Sequence, residues 1–387
     1  MVSELVTQRS YATEAGTHRF ARRHGAGKAA DAYSQLARLE LSSIGIGTYL
    51  GQPCEETDDA YTAAIVDAVR RGLNVIDTAA NFRCQRSERA VGRALQQLIQ
   101  AGEIYRSEVL VASAGGMVAF DTQPPTDKAH FLRSATVGRG LCDEGELVAG
   151  CHCMAPAFLE QSLAASLDNL GLSTLDVYYV HNPETQLHLI DRPQFFERLR
   201  RAFEALEQAV DRGQLRAYGV TSWMGVRARR TDRDYLSLQE VVEVAQDIAG
   251  SRHHCKALQI PLNLAMPEAF LQPNQEVRGQ LLTPLDAARQ LGLVVFGSSP
   301  LHQGRLVQNR LPHVPPLPTM CQLPERDPAA VEALQFARSI PGIASTLVGM
   351  RRSEHVATAA RLLHHPRAPL EWLCAAARPN PSASYVG

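Results

Sequence analysis

Asp77 is the residue on which a chemical reading of this sequence turns. It ends the short apolar run Val75-Ile76, a polar turn follows, and a helix signature opens near Ser87 with Glu88 in its first turn. A carboxylate at the carboxyl end of a buried strand, facing a polar loop, is where a parallel α/β protein places its chemistry. The same residue type also caps turns, so position alone leaves both roles open. Cys84 could act as a nucleophile with His181 as its base, but one thiol and one imidazole without geometry do not define a site. The group Cys142, Cys151-His152-Cys153 and His253-His254-Cys255 raises zinc. Structural zinc prefers paired ligands two to four residues apart, so no metal is expected and thiols lining a loop is the reading.

Composition narrows the classes. The 387 residues carry 39 Lys and Arg against 40 Asp and Glu, a net charge of −1. Nothing in that balance draws the chain to nucleic acid or to a membrane surface. The start, Met1-Val2-Ser3-Glu4-Leu5, lacks the basic-then-apolar order of a signal peptide. No apolar run approaches the ~20 residues that span a bilayer. Eight cysteines are too sparse for a disulfide scaffold at this length and suit a reducing compartment. A cytoplasmic protein acting on a small molecule is the expectation.

The elements that must position Asp77 follow a regular beat. Residues 1–40 are polar and weakly patterned, an extension packed over one end, and 41–51 give a strand ending in a glycine-rich turn. Helical and strand patterns then alternate: 57–71 with 73–77, 87–101 with 108–113, 157–170 with 174–180, and 194–212 with 215–220. The beat continues through 235–249 with 256–260, 284–291 with 293–296 and 327–339 with 344–348, and a helix over 353–364 closes it. Eight strands each followed by a helix predict a (β/α)8 TIM barrel spanning 41–365. No Gly-x-Gly-x-x-Gly turn follows an early strand, which argues against a doubly wound dinucleotide fold. Long insertions at 115–155 and 297–326, after strands 3 and 7, should overhang the site as lids. The Pro-rich tail, 366–387, reads as a segment draped over the surface.

Several segments, in order, carry a resemblance. They include Gly45-Ile46-Gly47-Thr48-Tyr49, Asn74-Val75-Ile76-Asp77-Thr78-Ala79 and Ser87-Glu88-Arg89-Ala90-Val91-Gly92. Asp176-Val177-Tyr178-Tyr179-Val180-His181-Asn182-Pro183, Ser299-Pro300-Leu301 and Leu347-Val348-Gly349-Met350-Arg351-Arg352 continue the series. The chain resembles the aldo/keto reductase superfamily, most of all a longer bacterial branch with an insertion reading His-Cys-Met-x-Pro, here His152 to Pro156. That resemblance implies a barrel that binds NADP(H) across its carboxyl face and reduces carbonyls. It also implies a tetrad in which a tyrosine donates the proton, a lysine paired with an aspartate tunes the tyrosine, and a histidine orients the substrate.

Mapped residue by residue, half of that tetrad is kept. Asp77 matches the aspartate and His181 the histidine, while Phe82 stands at the tyrosine and Ala114 at the lysine. General acid catalysis contributes about 10²–10⁴-fold, so these exchanges bear on the chemistry. Without its cation, a buried Asp77 should have a raised pKa and could pair with His181. Acid/base work by Asp77 and His181 on a small polar substrate is therefore expected first. A carbonyl reductase with another donor, such as His181 or Tyr49, and a silent ligand-binding protein are the alternatives.

The resemblance places Thr48, Ser222, Gln259, Ser298, Pro300, Leu301, Arg351, Arg352 and His355 around NADP(H). Ser222 stands for an asparagine, and Ser298 for the tyrosine that stacks on nicotinamide. Gln259 keeps the carboxamide-binding glutamine, and Thr358-Ala359 replace a Glu-Asn pair at the adenine. These exchanges weaken the case for the cofactor. Arg351 and Arg352 could grip a 2′-phosphate or form a solvated face. Substrate contacts fall to Tyr49, Phe82, Arg83, His152 and Asn182. Of these, Arg83 either holds an anionic substrate or pairs with Glu88, and His152 reaches the mouth from the first insertion or lies on the surface.

Overall fold

The computed structural model describes residues 11–36, 38–309, 311, 313–321 and 328–377. Its first elements are helix α1 (Glu14–His24), the antiparallel hairpin β1 (Tyr33–Leu36) and β2 (Leu39–Ser42), and strand β3 (Ile44–Gly47). Then come α2 (Glu55–Arg70), β4 (Val75–Asp77), α3 (Arg86–Gln100), β5 (Leu110–Gly115), α4 (Lys128–Ala135), α5 (Pro156–Leu170) and β6 (Leu175–His181). They are followed by α6 (Arg192–Asp211), β7 (Leu215–Thr221), α7 (Leu238–Ala249), β8 (Cys255–Pro261), α8 (Glu268–Leu271) and a hairpin of β9 (Gln275–Val277) with β10 (Gln280–Leu282). The last elements are α9 (Pro284–Gln290), β11 (Val294–Ser298), α10 (Arg305–Gln308), α11 (Pro328–Ser339), β12 (Ile343–Gly349), α12 (Ser353–Leu362) and α13 (Leu370–Ala376).

Eight parallel strands close a barrel in the order β11-β12-β3-β4-β5-β6-β7-β8, which is the (β/α)8 architecture the alternation predicts. The reason lies in the strands themselves: β4 and β5 are buried at every position, as strands covered by helices on one face and a filled barrel on the other must be. Alternate residues build two cores. Val111, Tyr178, Val180 and Leu258 face the helices, while Val75, Ala79, Ala112, Ala114, Val177, Tyr179, Phe296 and Leu347 fill the interior.

The described part of the N-terminal extension is pinned to the barrel. Arg19 and Arg23 both reach the buried Glu108 at 2.7 Å, and the Ala12 amide donates to Asp176. The tail corrects the expectation of a draped segment: α13 buries Trp372 and Leu373, and Trp372 donates its indole N–H to the carbonyls of Pro315 and Pro316 at 3.1 Å. An amphipathic turn following two prolines can dock as well as drape, and here apolar burial decides. Residues 378–387 lie outside the described part. Among the described residues no helix is long and apolar enough to cross a membrane, and no group of three or more His, Cys, Asp or Glu side chains is placed to hold a metal.

Candidate active site

A cavity of about 1190 Å³ opens at the carboxyl ends of the strands, where a barrel of this kind gathers its loops. Asp77, Asn81, Phe82, His181 and Gln259 line its deep end. Gln303, Gly304, Glu354, His355, Thr358 and Arg361 line the far end, toward α10 and α12. Asp77 sits at the last position of β4, where the chain leaves the sheet and the next turn begins. Its Oδ1 accepts a hydrogen bond from Gln259 Nε2 at 2.7 Å. Burial pushes its pKa up from 3.8 to about 7, and the Gln259 bond only partly offsets this. Its hydrogen-bond donor is a neutral amide, which stabilises the charge less than an ammonium would.

The turn after Asp77 explains where Phe82 and Arg83 go. Arg83, Cys84 and Gln85 have φ values of 50°, 57° and 65°, three successive left-handed residues without a glycine, an arrangement that persists only when its surroundings hold it. The holding group is Arg83 itself. Its buried guanidinium pairs with Asp58 and donates to the carbonyls of Gln52 and Cys54. Arg83 is thus neither a substrate ligand nor the partner of Glu88, which instead accepts from Ser113 at 2.6 Å and from Asn169 at 2.9 Å. Phe82 is left pointing into the cavity. Its ring meets Tyr49 edge-on at 5.0 Å and His181 at 6.1 Å. Tyr49 is 53% exposed and lines the mouth.

His181 ends β6. The residue is half-buried at the cavity wall, its Nδ1 is buried with no partner among the described residues, and desolvation lowers its pKa to about 4. The imidazole is therefore neutral near pH 7. No hydrogen bond joins His181 to Asp77, so the pairing expected from sequence is absent among the described residues, although both groups face one cavity. His152 is likewise not at the mouth. It is fully buried behind His181, where Nε2 contacts the His181 carbonyl oxygen at 2.7 Å and Nδ1 faces Gln186 Nε2 at 2.9 Å. A ring placed between a carbonyl and an amide N–H carries its proton on Nε2, so His152 is a neutral clamp that fixes the end of β6. Bridges from Met117 and Val148 to His152 explain the placement: they fold the insertion back into a small ladder. Asn182 lines the cavity, and its Oδ1 accepts from Thr221 at 2.9 Å.

The groups expected around a nicotinamide are present but partly turned to other work. Thr48 donates to the Asp77 carbonyl at 3.2 Å. Ser222 donates to Glu184 Oε1 at 3.0 Å and accepts from the Val226 amide. That Glu184 oxygen also takes the amides of Trp223, Met224 and Gly225. Ser298, Pro300, Leu301 and His355 line the cavity as expected, but Arg351 and Arg352 do not. Both are exposed: Arg352 lies 3.6 Å from Glu354, and the Arg351 guanidinium lies over Gly51. Sequence reasoning did not single out Asn81, Met117, Gln303 or Arg361. Asn81 carried a signal, since it lies inside the polar turn that follows Asp77.

Comparison with known proteins places this geometry. The chain is 27% identical over 273 residues to the NADH-specific methylglyoxal reductase of Escherichia coli, covering 69% of this chain and 66% of that protein. It is 28% identical over 167 residues to an aldo-keto reductase of Mycobacterium avium, covering 43% and 41%. The chain thus spans less than two thirds of the length of either relative. The barrel also superposes on solved structures, which at their low identities speak to the fold alone. An aldo/keto reductase from Klebsiella pneumoniae in complex with NADP and acetate has a TM-score of 0.56 at 20% identity, with 89% of this chain and 94% of that one covered. Glycerol dehydrogenase from Gluconobacter oxydans has a TM-score of 0.59 at 17% identity, with 92% and 100% covered. The model of the Aldo/keto reductase family matches residues 43–369, and with most of its length inside that match the chain belongs to the aldo/keto reductase family.

Proposed function

We propose that this barrel carries out redox-neutral proton transfer on a small, polar, carbonyl-bearing substrate, with Asp77 as the acid/base and His181 as the neutral group that orients it. The observation that carries this reading is the Asp77 carboxyl. It is buried at the cavity floor, held by Gln259 rather than by an ammonium, and poised at about 7. A group with a pKa near the working pH both takes and returns a proton efficiently. Phe82 supplies an edge-on wall in place of a phenol, and Ala114 supplies no charge. His181, neutral down to about pH 4, offers the substrate oxygen a hydrogen bond without competing for the Asp77 proton. Burial excludes water from this end and strengthens both interactions. Eight free cysteines in 387 residues support a reducing, cytoplasmic setting.

A nicotinamide cofactor fits this deep end poorly. The hydroxyl of Ser222 is spent on Glu184, one of the two amide N–H groups of Gln259 on Asp77, and Ser298 offers no ring to stack on. The reach of the cavity to His355, Thr358 and Arg361 favours a second reading, NADP(H)-dependent carbonyl reduction with a substituted donor. One experiment separates the two. A panel of aldehydes, ketones and hydroxyketones is incubated in D2O and followed by proton NMR, with and without NADPH. Proton transfer predicts deuterium entering beside the carbonyl without nucleotide, abolished by Asp77→Asn. Loss of the nicotinamide absorbance with no exchange would reject it.

A further inference from the structure

Asn81 has a place at the deep end of the cavity that nothing in the fold requires. It lies in the turn between β4 and α3, four residues after Asp77, and it lines the cavity. An asparagine in a turn ordinarily takes a left-handed conformation or bonds its side chain to nearby backbone. Asn81 does neither. The left-handed residues of this turn are Arg83, Cys84 and Gln85. The Asn81 Oδ1 is buried with no hydrogen-bond partner among the described residues, and its Nδ2 bonds to none of them either. Polar atoms left in that condition are rare in folded proteins. With nothing to fix it, the amide turns about χ2 at little cost, so either its carbonyl or its NH2 can be brought to a bound molecule.

The neighbouring groups restrict what that molecule is. Arg361 is the one Lys or Arg side chain among the described lining residues, and it belongs to α12 at the far end. The deep end therefore offers no cation to a carboxylate or a phosphate, and Asp77, once ionised, repels both. A substrate ammonium would pair with Asp77 and hold it ionised, which takes away the base. An uncharged molecule is left. Asn81 adjoins Phe82, whose ring lies 6.1 Å from the His181 ring, which puts both polar groups at one end of the cavity. With the carbonyl oxygen at His181, the group that meets Asn81 is a hydroxyl. A hydroxyl donates to the amide carbonyl or accepts from the amide NH2, and so fits whichever way the side chain turns.

We propose that Asn81 selects the substrate by binding a hydroxyl on the carbon beside the carbonyl, and that the substrate is an uncharged α-hydroxyaldehyde or α-hydroxyketone. This rests on the reading of Asp77 as the proton carrier. The Asp77 carboxylate takes a proton from the carbon that bears the hydroxyl. The C–H electron pair becomes a carbon–carbon double bond, and the carbonyl π pair moves onto the oxygen beside His181. Return of the proton reverses each shift, with no electron gained or lost. Asn81 holds the hydroxyl and moves no proton.

The test is deuterium exchange in D2O, followed by proton NMR on the full-length protein without nucleotide, each rate divided by the rate in buffer alone. Hydroxyacetone and butanone differ by a hydroxyl in place of a methyl. The ratio of their enhancements should fall about tenfold in Asn81→Leu, the worth of about one hydrogen bond. Asn81→Asp keeps the shape and an acceptor, and its charge acts on Asp77 alike with both substrates, so the ratio should stay within about threefold of the parent value. The parent protein, with no variant needed, should exchange dihydroxyacetone and leave dihydroxyacetone phosphate at the buffer rate. A ratio unchanged in Asn81→Leu, a ratio lost equally in Asn81→Asp, or a phosphate that exchanges as fast as the free ketone would each overturn the role of Asn81 while leaving the reading of Asp77 intact. Exchange absent with all four compounds would remove that reading and this inference with it.

Discussion

Replacing Asp77 by Asn should make the protein more stable, and only above mildly acidic pH. The carboxyl has an ordinary value of 3.8, and the fold holds it at about 7. Between those values the unfolded chain releases the proton and the folded chain keeps it. Stability therefore falls as pH rises through this window, and the loss is complete above the folded pKa. A separation of about three pKa units corresponds to about 4 kcal/mol at pH 8. Asn is isosteric, keeps an oxygen for Gln259 Nε2, and does not ionise. Some relaxation around a bare carboxylate is expected, so the net gain should be about 1–3 kcal/mol. The assay is urea unfolding of both proteins from pH 4 to pH 9, read as the difference between them so that other titrating groups cancel. The difference should be near zero at pH 4 and grow through pH 7. A difference that does not change with pH would refute the reasoning, because it would mean that Asp77 ionises in the fold as readily as in the open chain.

Other perturbations follow from the same geometry. His152 and His181 are both held near 4 by burial, so each favours unfolding as pH falls from 6.5 toward 4; nitrogen-15 NMR should show two neutral rings at pH 6, and a charged ring there would contradict their burial. Arg83→Met should cost about 1–3 kcal/mol in urea unfolding, because it releases the strained 83–85 turn and leaves Asp58 with Arg86 as its remaining guanidinium partner at 2.7 Å. Asp58→Asn, which takes the carboxylate from both Arg83 and Arg86, should cost a comparable amount, and no loss would show that the ion pair is not what holds the turn. Phe82→Tyr with Ala114→Lys should raise NADPH-dependent carbonyl reduction by about 10²-fold or more over the parent protein if only the proton donor and its cation are missing. No gain in a folded double variant would place the block at the Ser222 and Gln259 end of the cavity.

The barrel was legible because its strands are short apolar runs at a steady spacing, and a strand buried on both faces leaves no other sequence pattern. Asp77 and His181 were legible for a related reason: each is the first polar residue after such a run, and β4 and β6 end on them. Side-chain direction was not. Nothing in Phe82-Arg83-Cys84-Gln85 announces three left-handed residues, since none is glycine or asparagine, yet that turn sends Arg83 away from the cavity and Phe82 into it. His152 was misplaced because its burial depends on long-range bridges to Met117 and Val148. The β9–β10 hairpin was hidden in the same way. Its turn is Arg278-Gly279, with φ of 51° and 77°, where the usual signal is Asn or Asp before the glycine.

The claim at the centre is that a buried carboxyl, held by a neutral amide, carries a proton near neutral pH. Titrating Asp77 directly in the intact protein tests it with no substrate in hand. A midpoint near 7 agrees with the structure, and a carboxyl already fully ionised at pH 5 contradicts it.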